Sequence, residues 1–311
     1  MRTVVFIVGL GYTGSTVLDM ALGNNKESFS LGEIANLPTE ININNPCVCG
    51  EFIRNCHFWL GVCNAIREKH NIDFIRNPDS FPLKPAEIRN RNNILRKLKI
   101  LSNVYGISKN EPWLKNTKIL YDAIAEMSNA KVLIDSSKDI RRALMLRSVL
   151  KGYQIKFIHL IRDCRGTMRA CKNNVGKVRF PKSNEDAIIT RPFIPTEQAI
   201  KMWIHDNLKI TVYLSLFAPY NSWRVVKYED YCDTPDTVFS SLAEWLDLSD
   251  YKDMINFSSI VHHNVSGSRS RFNHSKILPS DKRWKNDLTE EDFNIFKKKA
   301  IFLNRLYGYK D

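Results

Sequence analysis

The sequence lacks any apolar stretch long enough to cross a membrane, and no signal-peptide layout is visible near its first residues. Residues 4–10 form the longest early apolar run, which is typical of a buried strand. The sequence also has no internal repeat, no low-complexity tract and no Gly/Ser linker, and these absences argue against a solenoid and against two separated domains. We therefore expect one cytoplasmic domain that spans residues 1–311.

Cysteine is scarce, and acidic residues are outnumbered. Seven cysteines among 311 residues are too few for a disulfide-dense secreted scaffold, and an odd count leaves at least one unpaired within the chain. Lys and Arg total 46 against 33 Asp and Glu, which gives a net charge of +13. Residues 141–182 carry twelve of these basic residues and a single acid, Asp163. The excess predicts an anionic partner, such as nucleic acid, phospholipid headgroups or a phosphorylated or sulfated ligand.

The sequence does contain an ordinary globular composition, with 43% hydrophobic residues, and a regular alternation of strand and helix signals. Four short runs rich in Val and Ile predict buried parallel strands at residues 3–8, 131–134, 155–161 and 223–227. Helical periodicity predicts helices at residues 13–22, 86–102, 140–150, 167–173, 197–217, 235–246 and 290–306. Thr234 and Thr289 are the expected N-caps of the last two.

This alternation predicts an α/β sandwich with a largely parallel sheet. In such sheets ligands bind beyond the carboxyl ends of the strands, so functional residues are expected where the strands end. Two segments fit neither pattern. We expect residues 36–85 to form an irregular, cysteine-containing insertion and residues 262–280 to form a covering loop over the site.

The first predicted strand runs into a glycine-rich turn followed by a helix. Glycines at positions 9, 11 and 14 allow tight turning and close approach to a ligand. The start of the helix, with the Ser15 and Thr16 hydroxyls, offers donors and a positive dipole end to an anion. The turn has no Gly-Lys-Ser/Thr, so it is not a Walker A loop, and its glycine spacing does not fit a dinucleotide fingerprint. Alone, it is equally compatible with a turn that binds nothing.

Polar residues also follow the other strands. Glu33 comes after the first helix, where the chain returns towards the sheet, and Lys138 closes the run Asp-Ser-Ser-Lys after the strand at 131–134. Arg162 and Arg165 follow the strand at 155–161. If these strands are neighbours, all four side chains lie near the glycine-rich turn.

At this point the sequence resembles the sulfotransferases that use 3′-phosphoadenosine 5′-phosphosulfate (PAPS), most closely the bacterial branch related to protein-tyrosine sulfotransferases. The turn Gly-x-Gly-Tyr-Thr-Gly-Ser-Thr resembles the 5′-phosphosulfate loop of that family, and residues 156–165 resemble its strand and turn for the 3′-phosphate. Further matching motifs lie at residues 31–33, 135–138, 227–230 and 263–271, and at the cysteines of residues 47–59. The resemblance covers nearly the whole chain in order. It implies a P-loop-NTPase-like three-layer sandwich.

The resemblance also implies roles for individual residues. Glu33 corresponds to the general base and Lys138 to the lysine that stabilises charge on the sulfonyl group and leaving phosphate. Arg162 corresponds to the residue that pairs with the 3′-phosphate, and Ser266 or Ser268 would close over the nucleotide. The full set expected to bind PAPS is Gly11, Tyr12, Thr13, Gly14, Ser15, Thr16, Arg162, Ala170, Ser266 and Arg271. The implied scheme requires no metal.

Two positions depart from the family pattern. Tyr12 stands where the family loop has Lys or Arg, and Ala170 stands where the 3′-phosphate turn has serine. Arg169 and Lys172, which flank Ala170, are candidates to replace that contact. Because of these departures, the protein could instead be a relative that binds polyanions without catalysis. The other alternative is a P-loop-related kinase. Sequence-specific nucleic-acid binding is not expected, because few aromatic residues interleave the basic ones.

Four cysteines, at positions 47, 49, 56 and 63, lie within seventeen residues, and His57 lies among them. Zinc knuckles favour Cys-x₂₋₄-Cys units, so we predict packed thiols or a redox-dependent disulfide rather than a metal site. The pair His262-His263 has no metal-like partner spacing. The sequence does not decide whether the sulfonate acceptor is a sugar, a lipid, a small alcohol or a tyrosyl group. It also does not decide whether the protein is a homodimer.

Overall fold

The computed structural model describes residues 1–85, 111–172, 175–179, 186–190, 192–257, 260–268, 270–273 and 276–310. The helix predicted at residues 86–102 lies outside them.

A five-stranded parallel sheet forms the centre of the fold. Its strands, in the order in which they pair, are β2 (Ser28–Gly32), β3 (Val132–Lys138), β1 (Arg2–Val8), β4 (Tyr153–Ile161) and β7 (Trp223–Lys227). A separate antiparallel pair consists of β5 (Val175–Arg179) and β6 (Asp186–Thr190). The predicted parallel α/β sheet is confirmed, and β2 is the one central strand that the sequence did not predict.

Helices surround this sheet. Among the described residues they are α1 (Ser15–Gly23), α2 (Leu37–Asn42), α3 (His57–His70), α4 (Pro112–Ser128), α5 (Ile140–Leu146), α6 (Cys164–Lys172), α7 (Thr196–Phe217), α8 (Tyr228–Asp233), α9 (Pro235–Leu246), α10 (Lys252–Ile255), α11 (Ser270–Asn273), α12 (Trp284–Asp287), α13 (Glu290–Lys299) and α14 (Ile301–Leu306). In that part of the chain, none of the helices has the length and apolar character needed to span a bilayer.

Several helix boundaries differ from the sequence-based expectation. The segment 36–85 is not irregular throughout, because it contains α2 and the 14-residue α3. The helix predicted at 290–306 is divided at Ala300 into α13 and α14. Thr289 caps α13 as predicted, in a capping box with Asp292. Thr234 occupies the N-cap of α9, but its hydroxyl donates to the Asp230 carbonyl instead of accepting from the helix.

The core has a layer on each face of the sheet, and β1 contributes to both. Val4, Phe6 and Val8 pack with residues of α3, α4 and α5, whereas Val5 and Ile7 pack with residues of α1 and α9. Successive side chains of a strand point to opposite faces, so a central strand buried on both sides must be apolar at every position. A third cluster joins α6, α7, α13 and α14.

The order of the strands positions the site. Because β1 lies between β3 and β4, the segments that follow these three strands meet at one edge of the sheet. The glycine-rich turn, Lys138 and Arg162 are brought to that edge, and β2 adds Glu33 beside them.

Candidate active site

A cleft of about 820 Å³ lies at the carboxyl edge of the sheet. Ten of the twelve residues predicted from the sequence line it: Gly11, Tyr12, Gly14, Ser15, Thr16, Glu33, Lys138, Arg162, Ala170 and Ser266. Thr13 and Arg271 are not among its lining residues. The remaining walls come from α8 and from residues 266–268 and 276–283.

The glycine-rich turn is shaped by Gly14, whose φ of 83° lies in the left-handed region. A Cβ at this position would lie 2.2 Å from the hydroxyl oxygen of Tyr231, and that hydroxyl donates to the Gly14 carbonyl at 3.0 Å. Only glycine fits such a backbone and such a contact. Helix α1 starts at the next residue. The N–H groups of Val17 and Leu18 donate to the Gly14 carbonyl, whereas those of Ser15 and Thr16, which line the cleft, have no partner within the helix.

Thr13 contributes differently from the expectation. Its hydroxyl donates to the Leu10 carbonyl at 2.8 Å, so the side chain stabilises the turn instead of facing the cleft. The Thr16 hydroxyl oxygen accepts from the backbone N–H of Ser268 at 3.0 Å, which joins the turn to the covering loop.

Glu33 and Lys138 form an ion pair in the cleft, between Oε1 of the carboxylate and Nζ. Both side chains are largely buried, with 20% and 22% of their surface exposed. The second carboxylate oxygen, Oε2, accepts from the Asn36 amide at 3.2 Å. The backbone N–H of Glu33 donates to the Val265 carbonyl at 2.8 Å. The carboxylate is therefore oriented from two sides.

Arg162 is 6% exposed, and its guanidinium carbon lies over the aromatic ring of Tyr228, 4.3 Å from the ring centroid. Its Nη1 donates to the Tyr12 carbonyl at 2.9 Å. Among the described residues its Nε and Nη2 have no hydrogen-bond partner, and the nearest carboxylate, Asp281, lies 3.6 Å from Nη2. Buried donors without a partner are unfavourable, so this guanidinium is suited to accept an anion.

Backbone strain is concentrated in the same cleft. Of the seven described non-glycine residues with positive φ, four are Asn or Asp, which tolerate the left-handed region. The other three are Tyr12 (68°), Lys138 (68°) and Ser266 (58°), and all three line the cleft. Strain of this kind costs about 1–3 kcal/mol for each residue and is typical of functional sites.

The residues near Ala170 do not supply the contact considered for them. Arg169 pairs with Asp281 at 3.2 Å and with Asp287 at 2.8 Å, and Lys172 pairs with Asp292 at 2.7 Å. Neither basic residue lines the cleft.

Other cleft residues were missed by the sequence reasoning: Tyr228, Lys276, Asp281 and Arg283. Tyr228 lies in a motif that matched the family, but its ring position against Arg162 had no sequence signal. Lys276 and Arg283 bring further positive charge to a cleft whose turn has Tyr12 in place of a cation.

The covering loop is fixed to the sheet edge beyond β2. Val265 forms a parallel bridge with Gly32, and a Cβ at Gly32 would lie 2.2 Å from the Val265 carbonyl oxygen. Arg271 is 7% exposed, and its Nη1 donates to the Gly267 carbonyl at 3.3 Å. Arg271 therefore holds the loop backbone instead of lining the cleft.

Asp19 is fully buried on the inner side of α1, where it links β2 to the covering loop. The Ser30 hydroxyl donates to Oδ2, and the Asn264 amide lies 3.5 Å from the same oxygen. Burial raises the pKa of Asp19 to about 8, and Asp135 adds to the effect. The folded protein consequently holds this carboxyl protonated at neutral pH, whereas the unfolded chain ionises it near pH 4.

This difference predicts a pH dependence of stability. Between about pH 4 and pH 8 the folded state binds one more proton at Asp19 than the unfolded state, so raising the pH lowers stability by at most about 1.4 kcal/mol for each pH unit. Asp19→Asn carries no titratable proton and should remove this slope, becoming more stable than the wild type above pH 8. Urea unfolding at several pH values measures both curves. Parallel curves would contradict the assignment.

Three of the four insertion cysteines pack together, and a histidine of the covering loop joins them. Four side chains from the insertion and the covering loop come together, with their ligand atoms within 4.8 Å of one another, and we call them the Cys₃His cluster: Cys47, Cys49, Cys56 and His263. His263 belongs to this cluster, and its spacing gave no sign of it because its partners lie far away along the sequence. Cys63 is not a member and donates to Asp73 at 3.4 Å. His57 packs edge-on against the His263 ring.

No protein-family model matches the chain, and no curated protein sequence matches it. Its structure is similar to two solved structures of sulfotransferase domains. One is from the curacin biosynthetic pathway, with a TM-score of 0.54, 16% identity, and coverage of 96% of this chain and 97% of that one. The other is from the Synechococcus PCC 7002 olefin synthase, with a TM-score of 0.55, 18% identity, and coverage of 100% and 97%.

These comparisons show that the chain has the sulfotransferase fold. The resemblance and the three-layer, P-loop-like architecture that the sequence implied are thereby confirmed at the level of the fold.

Proposed function

We propose that the protein transfers a sulfonate group from PAPS to a hydroxyl group of an acceptor. The observation that carries the proposal is the meeting, in one cleft, of a helix start, an oriented carboxylate–lysine pair and a buried arginine that has two nitrogen atoms without a hydrogen-bond partner among the described residues. Each of these is suited to a different part of the reaction. Alone, each would be compatible with a structural role.

The donor has two anionic ends, and the cleft has two matching groups. The N–H groups at the start of α1, with the Ser15 and Thr16 hydroxyls, would hold the 5′-phosphosulfate. Arg162 would hold the 3′-phosphate through Nε and Nη2, the two atoms that lack a hydrogen-bond partner among the described residues, in exchange for the 3.6 Å ion pair of Nη2 with Asp281. A guanidinium presents such donors in a fixed plane, which suits a phosphate. Both proposed phosphate contacts of Arg162 therefore use nitrogen atoms that have no hydrogen-bond partner among the described residues.

Glu33 would act as the general base and remove the proton of the acceptor hydroxyl at a carboxylate oxygen. An alcohol is too weak an acid to ionise beforehand, so the base must take the proton as the new bond forms. Lys138 positions Oε1, and its ammonium group would stabilise negative charge that develops beside it. When bound, PAPS supplies the sulfonate and a phosphate leaving group.

The scheme calls for no catalytic metal ion. Phosphoryl transfer usually depends on Mg²⁺ to neutralise the phosphates. Here Lys138, Arg162 and the start of α1 bring positive charge to the cleft, with Lys276 and Arg283 at its wall.

Ligand-dependent stability tests the proposal against its rivals. Adenosine 3′,5′-bisphosphate at about 100 times its Kd should stabilise the fold by about 2.7 kcal/mol and raise Tm by about 4 °C, whereas ATP with Mg²⁺ should not. Turnover of labelled PAPS with a panel of sugar, lipid, small-alcohol and phenolic acceptors then identifies the acceptor class. Stabilisation by ATP with Mg²⁺ alone would indicate a kinase. Salt-sensitive stabilisation by a sulfated polyanion alone would indicate a non-catalytic binder.

A further inference from the structure

The Cys₃His cluster lies where the insertion meets the covering loop. Cys47, Cys56 and His263 are buried, and Cys49 is half-buried. All seven cysteines of the chain are free thiols in the structure. Three thiols and one imidazole that converge in a largely buried place need a reason beyond packing, since each is a strong metal ligand.

Four of the six separations between ligand atoms in the cluster are close to those of a four-coordinate metal site. The Cys56 sulfur lies 3.6 Å from that of Cys49 and 3.8 Å from that of Cys47. The Nδ1 atom of His263 lies 3.3 Å from the Cys56 sulfur and 3.8 Å from the Cys47 sulfur. A tetrahedral zinc ion with bonds of about 2.3 Å to sulfur and about 2.0 Å to nitrogen separates two sulfurs by about 3.8 Å and sulfur from nitrogen by about 3.5 Å.

The local backbone structure brings the three thiols together, although their spacing in the sequence differs from the common Cys-x₂₋₄-Cys units of zinc sites. Pro46 and Phe52 form an antiparallel bridge, and the tight turn between them is closed by a hydrogen bond from the Gly50 N–H to the Cys47 carbonyl. Gly50 adopts a φ of 96°. This turn brings the sulfur atoms of Cys47 and Cys49, which a single residue separates, to the same cluster. Cys56 follows as the N-cap of α3, where the helix dipole favours a thiolate.

The imidazole is held in place by its own surroundings. The indole N–H of Trp59 donates to the His263 carbonyl at 3.0 Å, and the Phe58 ring stacks on the imidazole with centroids 5.0 Å apart. These contacts fix the ring that presents Nδ1 to the sulfurs. Support of this kind around the ligands is typical of metal sites.

We propose that the Cys₃His cluster binds one zinc ion as a closed structural site. Three sulfur ligands and one nitrogen ligand in tetrahedral reach favour zinc over harder cations, and four protein ligands leave no open position for catalysis. Binding releases the protons of the coordinated thiols to solvent.

The proposed ion fastens the covering loop to the insertion. His263 is followed within five residues by Val265, which bridges to Gly32, by Ser266, which lines the cleft, and by Ser268, which donates to Thr16. Zinc would thus fix one end of the segment that forms the wall of the cleft. This role concerns the fold of the loop and stands apart from the proposed sulfonate transfer.

Metal analysis of the full chain tests the site. Protein produced without a histidine tag and purified without chelator should contain about one zinc ion per chain. Cobalt exchanged into the same protein should show thiolate-to-cobalt charge transfer and the visible bands of a tetrahedral ion. Cys49→Ser, at the half-buried member, should remove most of the zinc. Cys63→Ser is the matched control, because Cys63 is a buried thiol of the same insertion outside the cluster, and it should keep its zinc.

Amide hydrogen exchange tests whether zinc fixes the covering loop to the insertion. This experiment uses the wild type, so it does not depend on a variant that folds. Removing zinc from the wild type with a strong chelator should speed amide exchange at residues 263–268 and leave α7 protected. A chain without bound metal that also gives no tetrahedral cobalt spectrum would overturn the proposal. So would a disulfide within the cluster that reductant opens, or equal zinc loss in Cys49→Ser and Cys63→Ser. Unchanged exchange at residues 263–268 after complete zinc removal would overturn the fastening role.

Discussion

Glu33→Gln is expected to lower turnover by about 10²–10⁴-fold, because the amide cannot accept the acceptor proton that the proposed mechanism assigns to this carboxylate. Binding of adenosine 3′,5′-bisphosphate should stay nearly unchanged, since the groups proposed to hold its phosphates lie on α1 and on Arg162. Gln is close to Glu in size and keeps one carboxamide oxygen, for either Lys138 or Asn36, which contact different oxygens of Glu33. Initial rates with labelled donor and calorimetry with the bisphosphate measure the two effects.

Glu126→Gln provides the matched control for this experiment. Glu126 also pairs with a lysine, Lys69, at 2.6 Å, but it lies on α4 outside the cleft. Its replacement should leave turnover unchanged. If Glu33→Gln and Glu126→Gln behave alike, Glu33 is not the base. If Glu33→Gln loses nucleotide binding as well as turnover, the carboxylate acts in folding of the cleft instead.

Arg162→Gln is expected to weaken binding of adenosine 3′,5′-bisphosphate by about 10- to 150-fold, which corresponds to about 1.5–3 kcal/mol for hydrogen bonds to a charged group. The side chain is buried, and its Nε and Nη2 have no hydrogen-bond partner among the described residues, although Nη2 lies 3.6 Å from Asp281, so a phosphate there would gain both donors. Calorimetry with the bisphosphate gives the change in Kd.

The ligand itself supplies the sharpest control for Arg162. Adenosine 5′-phosphate lacks the 3′-phosphate, so its weaker binding should hardly change in Arg162→Gln. Arg224→Gln is the matched protein control, because Arg224 likewise lies over an aromatic ring, that of Trp245, but outside the cleft. An equal loss for both nucleotides would mean that Arg162 shapes the turn through the Tyr12 carbonyl and does not recognise the 3′-phosphate.

Apolar patterning predicted four of the five central strands because their burial is hydrophobic. β2 escaped prediction for the opposite reason. Ser28 and Ser30 in this strand are buried through hydrogen bonds, from the Ser28 hydroxyl to the Leu22 carbonyl and from the Ser30 hydroxyl to Asp19. The Ser-Phe-Ser-Leu-Gly run does alternate polar and apolar residues, but it is short and its serines are buried, so its pairing with β3 depends on contacts that the sequence does not display.

The candidate site was predictable where a residue follows a strand, and not where distant segments meet. Lys138 and Arg162 lie at the ends of predicted strands, and parallel strands bring such ends together. Glu33 follows β2, so its role came from the resemblance and not from a predicted strand. His263 contacts Cys47, which lies 216 positions away in the sequence, and a short-range spacing motif cannot predict a contact between such distant residues. Arg271 and Thr13 were assigned to the right segments, but their side chains hold backbone instead of lining the cleft.

The bond between Ser268 and Thr16 joins residues 252 positions apart. Ribosomes add about 5–20 residues each second, so about 13 to 50 s pass between synthesis of the turn and synthesis of the residue that closes over it. During that interval the thiols of the insertion have emerged while His263 has not. Assembly of this cleft is therefore a late event in the synthesis of each chain, and the cysteines of the Cys₃His cluster are made more than 200 residues before the histidine that joins them.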